Sequence, residues 1–137
     1  MFNSILVALD CSKDCTPVVK TLDALHLSPQ ASLRLCHILS PEPENQEDPA
    51  RPHRFSTDHF QQAEQKLLQY QRQFPGSAIE IATGDPAEEI LRLANIYQVE
   101  LILLGNRGLK GVERVISGSV SGQVLAEAPC SVLVVHL

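Results

Sequence analysis

The feature that most constrains the fold is a set of short, almost wholly apolar segments separated by segments with helical periodicity. The first, ILVAL at residues 5–9, ends at an aspartate, and a later one, VELILL at residues 99–104, ends at a glycine. A strand that is apolar on both sides is typical of a parallel sheet covered on both faces, since neither side meets water. The segments therefore predict an α/β fold.

Five strand segments alternate with four helix segments along the chain. The predicted strands are 5–9, 33–39, 77–82, 99–104 and 131–136, and the predicted helices are 12–27, 57–74, 85–97 and 118–126. This order implies a doubly wound domain with an open parallel sheet. We expect residues 1–137 to form a single domain, with a proline-rich flexible loop at residues 40–56.

The best-defined helix start is the sequence Asp85-Pro86-Ala87-Glu88. Asp85 is expected to cap the helix, and Pro86 supplies the fixed φ that suits a first turn. Glu88 can reach back to the cap residue.

Composition and charge exclude several classes of protein. The net charge of −5 disfavours general attraction to nucleic acid or to an anionic membrane. No apolar run approaches the ~18 residues of a membrane span, and the start of the chain does not resemble a signal peptide. The protein is expected in the cytoplasm, where its cysteines (Cys11, Cys15, Cys36 and Cys130) would be reduced thiols.

A glycine-rich segment, GNRGLKGVERVISGSVSGQVL at residues 105–125, joins the fourth strand to the last helix. Backbone N–H groups and the positive end of the helix dipole make such a helix start an anion site. Arg107, Lys110 and Arg114 reverse the sign of the protein's charge locally. Phosphate binding is therefore favoured. The alternative is a surface loop in which glycines turn the chain and serines cap the helix.

Three polar residues near the strand ends have open roles. In open parallel sheets, ligands bind at the carboxyl ends of the strands, where the strand order reverses. If the first and fourth strands are neighbours, Asp10 and Gly105 both reach that crevice, where Asp10 either binds a ligand or caps the next helix. Cys11 is either a space-filling residue or a redox-sensitive thiol. His37, within an apolar strand, is expected to be a buried histidine with its hydrogen bonds satisfied.

Two common phosphate-binding motifs are absent from the sequence. No segment fits the Walker pattern G-x₄-G-K-[S/T], and the turn after the first strand reads LDCSK rather than G-x-G-x-x-G. Instead, Gly105-x₂-Gly108-x₉-Gly118-Ser119 fits the G-2x-G-9x-G-(S/T) signature of the ATP-binding branch of the universal stress protein family. The segments ILVALD-x-S, LCHI, GDPAEEIL and APCSVLVV also resemble landmarks of that family. On these residues, the chain is identified as a member of it.

The resemblance implies a Rossmann-like sheet of five parallel strands in the order 3-2-1-4-5, with helices on both faces. It also implies a homodimer formed through the last strand, with Val132 and Val134 in the interface.

The same resemblance implies ATP as the ligand, with or without Mg²⁺. Ala8 would line the adenine pocket, and the backbone of Ile38 would bind the adenine edge. Asp10 would face the ribose, or a metal that accompanies the nucleotide. The residues around the ribose and phosphates would be Gly105, Arg107, Gly108, Gly118, Ser119, Val120 and Ser121.

The function that follows is that of a nucleotide-responsive regulator or sensor in the stress response. Rapid hydrolysis would need an oriented water and charge stabilisation on the phosphoryl group, and the sequence shows no evident base there, so no catalytic residue is assigned. Two alternatives stay open: a dimeric protein-interaction module that binds no nucleotide, and a slow ATPase.

Overall fold

The structure is a computed structural model, and it describes residues 2–10, 14–39, 54–106 and 120–136. Within these ranges, five strands alternate with four helices. The strands are β1 (Ser4–Ala8), β2 (Ser32–Leu39), β3 (Ala78–Thr83), β4 (Leu101–Gly105) and β5 (Ser131–Val135). The helices are α1 (Thr16–Ala24), α2 (Arg54–Gln71), α3 (Pro86–Ile96) and α4 (Val120–Glu127).

The strands form one parallel sheet in the order β3-β2-β1-β4-β5, which confirms the predicted fold class. β1 lies at the centre, where Ala8 pairs with Cys36 of β2 on one side and with Leu104 of β4 on the other. The chain builds outward from β1 to β3 and then returns to build β4 and β5. The strand order therefore reverses between β1 and β4.

Alternate side chains of each strand pack on opposite faces of the sheet. One core lies under α1 and α2 and is formed by side chains such as Val7, Leu35 and Leu103. The other lies under α3 and α4 and is formed by side chains such as Leu6 and Ile102. Because both faces are covered, β1 and β4 can be apolar nearly throughout, as their sequences are.

Helix α1 is shorter at both ends than the predicted span of residues 12–27. It begins at Thr16, whose N–H donates to Asp14 Oδ1 at 2.9 Å, and Pro17 occupies the first turn as expected. It ends before His26, which has a left-handed φ of 49° that stops the helical hydrogen bonding. The apolar spacing that predicted this helix continues past the residue that ends it, so the pattern overestimated its length.

Helix α2 begins at Arg54, so the predicted loop at residues 40–56 is wrong for its last three residues. Pro52 suggested a loop, but proline is tolerated just before a helix as well as within a loop. The rest of that loop, residues 40–53, lies outside the described residues. No helix in the described part of the chain is long and apolar enough to span a membrane.

The start of α3 follows the prediction for Asp85 and Pro86. Asp85 is the N-cap, its carboxylate accepts a hydrogen bond from the Glu88 N–H at 3.0 Å, and Pro86 is the first helical residue. Gly84, with a φ of 145°, makes the turn out of β3 that brings Asp85 into place.

Candidate functional site

The candidate site lies at the carboxyl ends of β1 and β4, where the strand order reverses. The two strands pair in parallel from Ile5–Leu101 to Ala8–Leu104, so their ends meet at the same edge of the sheet. Asp10 follows two residues after the end of β1, and Gly105 is the last residue of β4. The predicted juxtaposition of Asp10 and Gly105 at this edge is confirmed. This edge is where open α/β sheets bind ligands.

The chain around Asp10 is anchored by three hydrogen bonds from neighbouring elements. The Leu9 N–H donates to the Cys36 carbonyl at 2.8 Å, and His37 Nδ1 lies 2.7 Å from the Leu9 carbonyl oxygen. The Cys15 thiol donates to the Asp10 carbonyl oxygen at 3.1 Å. Because β2 and the start of α1 both hold this segment, the half-buried Asp10 is fixed at the crevice.

The alternative role for Asp10, capping the next helix, does not match the structure. The N-cap position of α1 is Cys15, and the first-turn Thr16 N–H bonds to the carboxylate of Asp14. The Thr16 hydroxyl donates to the same carboxylate, and this bond together with the one from the N–H lowers the pKa of the Asp14 carboxyl, since both stabilise its charged form. Asp10 is thus not the capping residue of this helix.

Ala8 and Ile38 lie on the same face of the sheet, the face covered by α3 and α4. They belong to the neighbouring strands β1 and β2, and Ile38 is 8% exposed. The two side chains therefore belong to the same apolar cluster.

The start of α4 lies on the face of the sheet that Ala8 and Ile38 share, because Val120 packs against the same core cluster. Its first two residues are Val120, which is half-buried, and Ser121, which is 8% exposed. The remaining predicted site residues, Arg107, Gly108, Gly118 and Ser119, lie outside the described residues, as does Cys11.

One polar contact at this edge was not predicted from the sequence. The Asn106 N–H donates to the Val135 carbonyl at 3.1 Å, and its side-chain amide nitrogen lies 3.0 Å from His136 Nδ1. These contacts tie the residue after Gly105 to the end of β5. Neither residue carries a motif, so no sequence signal indicated the pair.

The Cys15 thiol, which lies near the crevice, is not poised for chemistry. Burial raises the pKa of the Cys15 thiol to about 11, so the group stays protonated at neutral pH. Cys15, Cys36 and Cys130 are free cysteines, as the sequence predicted for them. Across the described ranges, no group of three or more His, Cys, Asp or Glu side chains could hold a metal ion.

These features define the class of protein: a doubly wound α/β domain whose crevice lies at the reversal point of the strand order. The model of the universal stress protein family matches residues 1–136, and the chain belongs to that family. A relative from Thermus aquaticus, "Universal stress protein in QAH/OAS sulfhydrylase 3'region", is 30% identical over 146 residues. That alignment covers 99% of this chain and 100% of the relative.

Solved structures share the fold over nearly the whole length. The hypothetical protein MJ0577 superposes with a TM-score of 0.81 at 23% identity, covering 100% of this chain and 97% of that one. A universal stress protein in complex with cAMP superposes with a TM-score of 0.71 at 18% identity, covering 98% of this chain and 97% of that one. At these identities, the likeness shows the fold.

Proposed function

We propose that this universal stress protein binds ATP at the crevice between β1 and β4 and acts as a nucleotide-responsive regulator. The observation that supports the proposal is that the ends of β1 and β4 meet at one edge of the sheet, where the strand order reverses. Asp10 follows β1, and Gly105 ends β4. A carboxylate and a glycine at a strand-order reversal are parts that a nucleotide site uses, and we propose that the start of α4 supplies the N–H groups for the phosphates.

In this proposal each part of the site binds a different part of the nucleotide. The apolar surface of Ala8 and Ile38 takes the adenine ring, with the Ile38 backbone at the ring edge. Asp10 binds the ribose, or Mg²⁺ carried by the phosphates. The ribose and phosphates are held by Gly105, Arg107, Gly108, Gly118, Ser119, Val120 and Ser121.

Three further observations support nucleotide binding. The spacing of Gly105, Gly108, Gly118 and Ser119 fits the signature of the ATP-binding branch of the family. A structural neighbour with the same fold was solved in complex with cAMP, an adenine nucleotide. The three cations at residues 107, 110 and 114 would offset triphosphate charge in a chain of net charge −5.

We further propose that residues 1–137 act as one domain.

A second proposal concerns a homodimer formed through β5. β5 is an edge strand that pairs with β4, and Val132 and Val134 on it are half-buried in the single chain. An edge strand exposes unpaired N–H and C=O groups that can pair with a second copy. Dimerisation without nucleotide binding is the competing function.

The dimer proposal predicts that Val134→Arg dissociates the pair, since a charge would enter the shared interface. Light scattering should show half the mass of the wild-type dimer, with an unchanged circular dichroism spectrum. A wild-type mass of one chain, or a variant that keeps the dimer mass, would contradict this interface.

The nucleotide proposal is tested by calorimetric titration of nucleotide-stripped protein with ATP, ADP and AMP, each with and without Mg²⁺. We expect saturable binding of ATP at one site per chain. Ligand at a hundred times its Kd should add about 2.7 kcal/mol to the free energy of unfolding. If no nucleotide gives heat or a thermal shift, the interaction-only dimer becomes the better account.

A further inference from the structure

The ladder between β1 and β2 stops just before the pair Leu9–His37, although Leu9 makes one of the two backbone hydrogen bonds that would extend it. In a parallel ladder, the pair Leu9–His37 would need two bonds: Leu9 N–H to the Cys36 carbonyl, and Ile38 N–H to the Leu9 carbonyl. The first is present at 2.8 Å, but the ladder stops at the pair Ala8–Cys36 and Leu9 is not part of the strand. The second bond is therefore not made.

The imidazole of His37 bonds to the oxygen that the Ile38 amide would otherwise bond to. Its Nδ1 lies 2.7 Å from the Leu9 carbonyl oxygen. A carbonyl oxygen only accepts hydrogen bonds, so Nδ1 must carry the hydrogen and donate it. The side chain of one β2 residue thus satisfies the oxygen that the backbone of the next residue would otherwise satisfy.

The consequence is that the Ile38 N–H points toward the crevice. Backbone polar groups alternate in direction along a strand, and Cys36 points its carbonyl toward β1. Ile38, two residues later, must point the same way, whereas the Leu39 carbonyl points toward β3 and accepts from the Gly84 N–H at 2.9 Å. Beyond Leu9, the direction toward β1 leads into the proposed nucleotide site beside Asp10.

We propose that His37 is a positioning residue that confers specificity for adenine: by occupying the Leu9 carbonyl, it leaves the Ile38 N–H to donate to an acceptor nitrogen of the ring. The inference rests on the proposed function, because it names which base the site selects. The same bond holds Leu9, and with it Asp10, at the end of β1. His37 itself does not touch the ligand.

The first test needs no nucleotide. In wild-type protein, hydrogen exchange followed by NMR should show the Ile38 amide exchanging faster than the amide of Leu35, which lies within β2. In His37→Leu, the Ile38 amide should pair with the Leu9 carbonyl and exchange more slowly than in wild type. An Ile38 amide already protected in ligand-free wild type would overturn the inference, whether or not the protein binds ATP.

The second test compares ATP with inosine triphosphate, which carries a hydrogen at ring N1 where ATP has an acceptor. Wild type should prefer ATP by about five- to tenfold, the value of one hydrogen bond. His37→Leu should lose this preference. Inorganic tripolyphosphate, which has no base, should compete with ATP equally well in wild type and in His37→Leu. His37→Asn, whose amide nitrogen can replace Nδ1 as donor, should restore most of it.

A matched control separates positioning from stability. Gln71→Leu removes another bond from a side chain to a backbone carbonyl, Gln71 Nε2 to the Ser77 oxygen at 2.6 Å, at the opposite end of the sheet. It should lower stability without changing the preference between the two nucleotides. A His37→Leu protein that keeps the wild-type preference would overturn the inference while leaving ATP binding intact. A wild type that binds neither nucleotide would instead refute the proposed function.

Discussion

The two ends of the sheet use their polar residues in different ways. Toward the amino ends, Arg34, Glu80 and Tyr97 bond to one another. Arg34 Nη1 lies 2.9 Å from Glu80 Oε2, the Tyr97 hydroxyl donates to the same oxygen at 2.7 Å, and the guanidinium carbon lies 3.7 Å from the centre of the Tyr97 ring. At the carboxyl ends, Asp10 and Gly105 are brought beside a crevice instead.

The difference shows how one sheet can separate stability from binding. The amino-end cluster joins β2, β3 and the end of α3, and its charges are satisfied within the protein. At the other end, His37 and Cys15 bond to backbone carbonyls and hold Asp10 in place. Variants at the amino end should therefore change stability alone, and variants at the crevice should change binding.

The largest effect is expected for Gly118→Val. The added side chain would occupy the space of the phosphates in the proposed site, so ATP affinity should fall roughly hundredfold or more, about 2.7 kcal/mol. Calorimetry measures the affinity, and urea unfolding should give the wild-type free energy. Gly118→Ala, with a smaller side chain, should weaken binding less. Unchanged affinity in Gly118→Val would show that the phosphates bind elsewhere.

The amino end is tested by Glu80→Gln, which keeps the size of the side chain but removes its charge. The carboxylate is paired and about three-quarters buried, so we expect the free energy of unfolding to fall by about 1.5 kcal/mol. Urea unfolding measures the loss, with Glu64→Gln on the exposed side of α2 as the control that should change little. An altered ATP affinity in Glu80→Gln would contradict the separation of the two ends.

Asp85 also lies at the carboxyl edge of the sheet, after β3, but we expect it to contribute to stability and not to ATP binding. Asp85→Ala removes the cap of α3 and should destabilise the protein by about 1 kcal/mol. Asp85→Asn, which keeps an oxygen acceptor, should lose less. Thermal unfolding of both variants, with ATP titrations beside it, checks the expectation. A Tm equal to that of wild type in Asp85→Ala would show that the cap contributes nothing.

The smallest effect at neutral pH concerns Cys15. Its pKa rises from 9.0 to about 11, so at pH 8 the native thiol should react with iodoacetamide roughly hundredfold more slowly than in urea. The protonated thiol is the form that the fold favours. The contribution of the protonated Cys15 thiol to the free energy of unfolding is therefore complete below pH 9 and is lost as the pH rises toward 11. Equal labelling rates in native and unfolded protein would contradict this burial.

Most of the fold was predictable because it depends on local patterns. The apolar runs that became β1 and β4 indicated a sheet covered on both faces, and the capping sequence at Asp85 fixed the start of α3. Helix ends were less predictable, because left-handed residues such as His26 end helices without being glycine. The predicted loop at residues 40–56 was wrong for its last three residues, since a proline such as Pro52 is compatible both with a loop and with the residues that precede a helix.

The site was predictable only in part. Asp10 and Gly105 each follow an apolar strand, so their meeting required only the strand order. The roles of His37 and of the cluster around Glu80 depend on which strands pair and in what register, and no short pattern encodes that. His37 was expected to be buried with its hydrogen bonds satisfied; its bond to Leu9 agrees with the second part, but the residue is only half-buried. The consequence for Ile38 needed the structure.

Hydrogen exchange on wild-type protein with and without saturating ATP tests nucleotide binding between β1 and β4. Binding there should slow exchange at the carboxyl edge, including the amides of Asp10, Ile38 and Gly105. Amides at the amino end, such as those of Arg34 and Gln98, should keep their ligand-free rates apart from any uniform slowing by global stabilisation. Local protection at the amino end, or no protection anywhere, would contradict the claim that nucleotide binds between β1 and β4.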